Sequence, residues 1–351
     1  MKIFVNARFL TQPVSGVQRY GIECSRQIKK LYPDVVFVGP GNILHKDIAE
    51  ELEVQIVGSQ TGHLWEQLDL PVFLRRAGSP PLFSPANTAP LLYRNNYFTL
   101  HDLAFYHHPE WNSKAFSLWY NIMVPRLVHS SKHIFTVSET ICGEIIKYYK
   151  VPTSKVSVTY NGISEQMLES PSQQTTAKEK IILAVGTFNK RKNHQNLVKA
   201  FSESMIKDEY QLVMVGDRNK IFAESDLDER LLANANIKVY ERLSSEELIS
   251  MYARAALLVS LSVYEGFGIP VLEGLYSGCK VICSDIDVYR ELYAGYVSFC
   301  DPHNITDIAD TLNNVALAPA GNDGHSIETL LTRYNYAASA RTIIEQMLSS
   351  K

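Results

Sequence analysis

The deficits of this chain narrow the field before its features do. Basic residues do not outnumber acidic ones: 34 Lys+Arg stand against 37 Asp+Glu, a formal net charge of −3. The electrostatic footprint of a nucleic-acid binder is therefore missing. Cysteine is sparse and odd in number, at positions 24, 142, 279, 283 and 300. The one close pair, Cys279 and Cys283, brackets Lys280-Val281-Ile282 and has no histidine at metal-ligand spacing. Reduced, mostly buried thiols in a cytosolic protein are the expectation. No apolar stretch is long enough to span a bilayer. The opening Met1-Lys2-Ile3-Phe4-Val5-Asn6 is too short an apolar run for a leader peptide and reads as a first strand. The loop after that strand, Ser15-Gly16-Val17, is not G-x-G-x-x-G, so the dinucleotide fingerprint is absent there.

What is present is an ordinary soluble composition, 46% apolar and 20% charged, in 351 residues, a length that suggests about two domains. Charge is uneven: residues 1–170 carry +2 and residues 171–351 carry −5, with seven of ten histidines in the first part. That bias suits an anionic surface or acceptor on the first half.

The most informative stretch is Glu265-Gly266-Phe267-Gly268-Ile269-Pro270-Val271-Leu272-Glu273. A short apolar run, 255–261, precedes it and has the length and content of a buried parallel strand. Two glycines bracket Phe267, and Pro270 stands where a helix takes its first residue. Strand, glycine-rich loop and helix N-terminus together offer backbone N–H groups of Val271 and Leu272, and a helix dipole, to an anion such as phosphate. Glu265 at the strand end and Glu273 in the first helical turn would face one crevice, where a carboxylate suits the vicinal hydroxyls of a sugar. A helix cap plus a solvated glutamate is the plainer alternative.

The rest of the chain alternates short strands with helices, the pattern of a parallel, doubly wound sheet. A helix is expected from Gly16 to about residue 31, and Gly16 at its mouth permits close backbone approach. His101-Asp102 follows a strand at 97–100, on the side where such sheets bind ligands. Residues 113–131 form an aromatic-rich helix or helix pair broken near Pro125, read as core or, with Lys114, Arg126 and Lys132 nearby, as a membrane-facing surface. A polar linker lies within 164–180. After the next strand, 181–185, comes Gly186-Thr187-Phe188-Asn189-Lys190-Arg191-Lys192. Its three basic residues suit either a diphosphate clamp or an exposed turn. Ser244-Ser245-Glu246-Glu247 is a capping box. A last helix is expected over 326–349, after a turn-rich stretch at 319–324.

Taken in order, these motifs resemble those of the retaining, family 4-type glycosyltransferases of the GT-B fold, with E-x7-E at Glu265 and Glu273 and a basic pair after Gly186. The likeness covers essentially the whole chain. It implies an α/β protein of two Rossmann-like parallel-sheet domains facing a central cleft. The first would span 1–168 and hold the acceptor, the second 178–325 and hold a nucleotide sugar, and the helix 326–351 would pack back on the first. It implies donor-site roles for Gly16, Arg191, Lys192, Phe267, Gly268, Val271, Leu272 and Glu273, and catalytic roles for Glu265 and His101. Many members have arginine directly after the glycine where this chain has Thr187, so Arg191 would supply that charge. Implied too are no metal or other cofactor and, as partners, a nucleotide-sugar donor and a glycan or lipid-linked acceptor. The protein would be cytoplasmic, with peripheral contact at the inner face of the membrane. The patterns Arg8-Phe9-Leu10-Thr11, Gly16-Val17-Gln18-Arg19-Tyr20 and Phe83-Ser84-Pro85-Ala86-Asn87 are similar to those of bacterial mannosyl- or rhamnosyltransferases. GDP-mannose and O-antigen or other surface-polysaccharide assembly are the corresponding expectations. Two alternatives remain: a non-catalytic sugar-nucleotide binder of the same fold, and a metal-dependent transferase using Asp285 and Asp287 as a D-x-D site.

Overall fold

A computed structural model describes residues 2–170, 177–216, 234–241, 243–318 and 326–349. The expected turn at 319–324 and residues 171–176 of the linker region lie outside them. The described chain divides into two compact units. One comprises Met1–Leu103, Leu118–Ser164 and Arg333–Lys351; the other comprises Ala104–Ser117 and Glu165–Thr332.

The first unit is built on seven strands: β1 (Phe4–Asn6), β2 (Val36–Gly39), β3 (Gln55–Ile56), β4 (Leu82–Ser84), β5 (Asn96–Thr99), β6 (His133–Thr136) and β7 (Val156–Val158). They lie in the order β3-β2-β1-β4-β5-β6-β7, and every ladder is parallel. β1, β4, β5 and β6 are buried throughout, which is why they read as apolar runs instead of alternating. The second unit holds β8 (Glu179–Val185), β9 (Gln211–Val215), β10 (Ile237–Tyr240), β11 (Ala255–Ser260), β12 (Lys280–Ser284) and β13 (Ser298–Cys300). Their order is β10-β9-β8-β11-β12-β13, again all parallel. Its core gathers Ile182, Leu197, Phe201, Leu212, Leu257, Ile282 and Leu312 from strands and covering helices.

Both sheets reverse direction once. The chain runs outward from β1 through β2 and β3, then returns so that β4 pairs with β1 on its other side; β8 and β11 repeat the plan. At such a reversal the loops leaving the two central strands diverge above and below the sheet, opening a crevice at the carboxyl ends.

Two helices differ from expectation. Lys114–Ser130 continues through Pro125, and the Arg126 guanidinium supplies a donor nearby, to the Ile122 carbonyl at 2.7 Å. The last helix is two, Ile327–Arg333 and Tyr336–Ser349. Asn335 separates them: its side-chain oxygen accepts from the Ala338 amide at 2.8 Å and starts the second. The helix Tyr336–Ser349 packs on Gly16–Leu31. Its chain comes so close to Gly162 that a Cβ there would meet the Asn335 Cα at 2.9 Å.

Candidate active site

In the second unit the reversal point lies between β8 and β11, and the loops leaving those strands carry the charged residues. The loop after β8 closes on itself: Asn189 Oδ1 accepts from the Lys192 amide at 3.1 Å, capping the short turn Lys190–Lys192. The Val263 amide then donates to the Arg191 carbonyl at 2.9 Å, docking the basic turn on the loop after β11. The Lys192 stem lies against Gly186, where a Cβ would meet its Cε at 3.1 Å. With both loops fixed, Lys192 Nζ reaches Glu265 Oε1 at 2.5 Å and Arg191 Nη1 stands 3.5 Å from Oε2. Burial alone would push the Glu265 carboxyl up, but the Arg191 and Lys192 charges hold it down at about 2. A buried carboxylate thus stands ionised beside two cations at the reversal point of the sheet.

After β11 the helix Ile269–Tyr276 begins one residue earlier than its proline suggests, with Gly268 as N-cap. Gly268 has φ +86°, and a Cβ there would lie 2.4 Å from Tyr289 Cε1, so glycine is required twice over. The anion-binding amides expected at Val271 and Leu272 are not the ones available. The Val271 N–H donates to the Gly268 carbonyl at 3.0 Å, and Leu272 stands a residue deeper, within the helix's own bonding. The helix mouth instead presents the amides of Gly268 and Ile269. The Phe267 side chain is buried, edge-on to Tyr293 at 6.1 Å. It anchors the loop. Glu273 is the fifth helical residue, in the second turn, buried, and its Oε2 accepts from Tyr252 Oη at 2.8 Å. The two carboxylates therefore have different partners. Asp285 is committed to a surface pair with Arg290, whose Nη2 donates to Oδ2 at 2.6 Å, and Asp287 is the first residue of the helix Asp287–Tyr293.

In the first unit Gly16 is the first residue of the helix Gly16–Leu31; just before it the Ser15 amide donates to Gln18 Oε1 at 3.3 Å. His101 follows β5 and is buried. Its Nε2–H donates to the Pro85 carbonyl at 2.7 Å, its amide donates to Asn87 Oδ1 at 2.8 Å, and its ring meets Tyr20 edge-on at 4.8 Å. Burial lowers its pKa from the ordinary 6.5, so the imidazole is neutral at pH 7.

Sequence reasoning missed a second buried charge cluster, at the reversal point between β1 and β4. Glu66, fully buried on the π-helical turn Trp65–Asp69, accepts from Asn6 Nδ2 at 2.8 Å, Arg8 Nε at 3.0 Å and Thr88 Oγ1 at 3.0 Å. Burial pushes its pKa up, but the Arg8 charge, His63 and the Asn6 hydrogen bond together bring it down to about 2. The available signals were the place of Arg8 just past a strand and the single glutamate within an apolar helical run.

Comparison with known proteins bears on the family and the fold. Residues 14–166 match the family model described as Glycosyltransferase Family 4, and residues 166–323 match Glycosyl transferases group 1. An O-antigen chain mannosyltransferase of Salmonella typhimurium is 29% identical over 253 residues, covering 72% of this chain and 69% of that protein. O-antigen chain mannosyltransferase B of Escherichia coli is 28% identical over 227 residues, covering 60% and 58% respectively. Among solved structures, the Anabaena protein HepE in complex with UDP-glucose superposes with a TM-score of 0.75 at 17% identity, over 99% of this chain and 100% of that one. Sucrose-phosphate synthase from Thermosynechococcus elongatus gives 0.76 at 15% identity over the whole of both chains. These likenesses put the two parallel-sheet units in the GT-B fold. Since a family 4 half runs directly into a group 1 half across residues 14–323, the chain belongs to the glycosyltransferases.

Proposed function

We propose that this enzyme moves a hexose, mannose in our reading, from GDP-mannose to a growing lipid-linked glycan, with retention and without a metal ion, in surface-polysaccharide assembly of the O-antigen kind. The observation that carries the reading is the convergence of Lys192, Arg191 and Glu265 at the reversal point of the second sheet. Two cations and a helix mouth suit a diphosphate, and a buried carboxylate beside them suits sugar hydroxyls. The sugar and pathway rest on the printed names of the two relatives above.

In this reading Glu273, steadied by Tyr252, accepts hydrogen bonds from the ribose diol. Lys192 and Arg191 neutralise the diphosphate as the bond from the sugar C1 to its phosphate oxygen breaks. Glu265 contacts hydroxyls of the transferred sugar, and neutral His101 is a second group assigned to the reacting sugar. The acceptor oxygen bonds to C1 from the face the phosphate leaves, its proton passing to a phosphate oxygen, and nucleoside diphosphate departs. Among the described residues no helix is long and apolar enough to cross a membrane. Exposed Leu118 and Ile122, on a helix with Lys114 and Arg126, support peripheral contact with the inner face of the membrane from the cytoplasm.

Thermal unfolding with GDP-, UDP-, ADP- and dTDP-sugars, each with and without EDTA, tests the reading. A rise in Tm with GDP-mannose that ignores EDTA and vanishes in Glu273→Ala is expected. A rise that needs divalent metal would transfer the site to Asp285 and Asp287, and no response from folded protein would remove the donor site.

A further inference from the structure

Five aromatic rings form a connected series that includes Tyr264, the residue before Glu265. Tyr106 meets His107 at 5.3 Å, His107 meets Tyr264 at 5.6 Å, Tyr264 meets His108 at 6.1 Å, and His108 stacks on Trp111 at 3.8 Å with only 10° between planes. Four of them come from the segment Ala104–Ser117, which belongs to the second unit although the chain on both sides of it belongs to the first. The fifth, Tyr264, is the immediate neighbour of Glu265.

The rings of Phe83 and Phe135, edge-on at 5.8 Å, are wholly inaccessible. In the 104–117 series none is. Tyr106 is 46% exposed and the other four are half-buried. The segment does not need these rings as its anchor, because buried Phe105 provides one. Polar groups stand at the ring edges: His108 Nδ1 is 3.1 Å from Glu110 Oε1. Half-exposed ring faces with hydrogen-bonding edges match a pyranose, which has an apolar C–H face and a rim of hydroxyls.

We infer that the Tyr106–His107–Tyr264–His108–Trp111 series is a stacking platform for the pyranose ring that receives the transferred sugar. This deepens the transferase reading and rests on it, since Glu265 is there assigned to the sugar end of the donor. A platform next to Glu265 in the chain then flanks the reacting carbon, and the base end of the donor is bound elsewhere.

Saturation-transfer NMR tests the platform, using methyl pyranosides of mannose, glucose, galactose, rhamnose and N-acetylglucosamine with the protein held at saturating GDP. If another of UDP, ADP or dTDP is what stabilises the wild type, that nucleotide is used. Transfer to the ring C–H protons of at least one glycoside is expected in the wild type, reduced at least fivefold in Trp111→Ala and in Tyr106→Ala. The nucleotide-induced rise in Tm stays intact in both variants, which also shows that they fold. No transfer to any glycoside, or equal transfer in wild type and variants, overturns the inference. So does transfer that the nucleotide abolishes, which would make a nucleobase the occupant. Absence of a nucleotide effect in the wild type is a separate outcome and counts against the donor site instead.

Discussion

Lys192 Nζ lies 2.5 Å from Glu265 Oε1, across 73 positions of sequence and between loops leaving adjacent strands. The pair does two things at once. It fastens the loop after β8 to the loop after β11, and it keeps two cations and a carboxylate in fixed register at the place where a diphosphate and a sugar would meet. Side chains held by one another before the ligand arrives need little rearrangement during the reaction.

Removing one member leaves the other buried without full compensation. Lys192→Met is expected to lower stability by about 3 kcal/mol, since Arg191 only partly replaces the lost charge. It should lower kcat by about 10² to 10³. Urea unfolding and sugar-transfer rates check the two effects separately. A variant with unchanged kcat would remove Lys192 from the chemistry.

Acid stability follows from the two buried glutamates. Glu265 and Glu66 are held at about 2, below the ordinary 4.5. A depressed carboxyl adds stability above its unfolded value, and that stability fades as pH falls from 4.5 through 2. Each contributes on the order of 3 kcal/mol near neutrality. Unfolding free energy measured from pH 6 to pH 2.5 should fall steeply below 4.5, and the Glu66→Gln variant should show a shallower slope. Equal slopes would contradict the assigned ionisation.

Histidines act over a different window. Burial lowers His101 from 6.5 and takes His133 to about 4 and His194 to about 3. All three are neutral in the folded state, so their contribution is complete above 6.5 and is lost as pH falls below it. NMR should show no titrating ring signal from His194 between pH 5 and 8. A midpoint near 6.5 would disprove its burial.

Tyr252 positions Glu273 without being assigned to the donor itself. Tyr252→Phe should raise the KM for nucleotide sugar several-fold while changing kcat little, because one neutral bond to a carboxylate is removed. A fall in kcat at unchanged KM would give Tyr252 a different role.

Gly268→Ala tests the loop's backbone. Its positive φ costs about 1 kcal/mol for alanine, and the added Cβ falls on Tyr289. Reduced Tm and near-complete loss of transfer are expected, whereas Gly143→Ala, on an open helical surface, should keep transfer and raise Tm slightly.

The strand, loop and helix of 255–276 were legible because their signals are local: an apolar run, glycines and a proline. Parallel sheets were legible for a similar reason, since strands covered on both faces are apolar throughout. What could not be read are the pairings. Glu66 looks like a solvated charge until Arg8, 58 positions away, is brought to it by the reversal of the first sheet. The contact of Phe267 with Tyr293, 26 positions on, is likewise invisible beside its glycines. Val271 and Leu272 were misjudged by one helical position, enough to exchange a free amide for a bonded one.

The assignment of Ala104–Ser117 to one unit and of Arg333–Lys351 to the other means that the backbone passes between the units four times, after residues 103, 117, 164 and 332. Cutting the gene after residue 164 would therefore yield two incomplete halves. The first would lack the helix Tyr336–Ser349, whose Ile343, Ile344 and Met347 are buried. During synthesis the N-terminal unit cannot finish folding until the helix Tyr336–Ser349 has left the ribosome. A chain cut near residue 330 should thus leave the helix Gly16–Leu31 without the helix that packs on it.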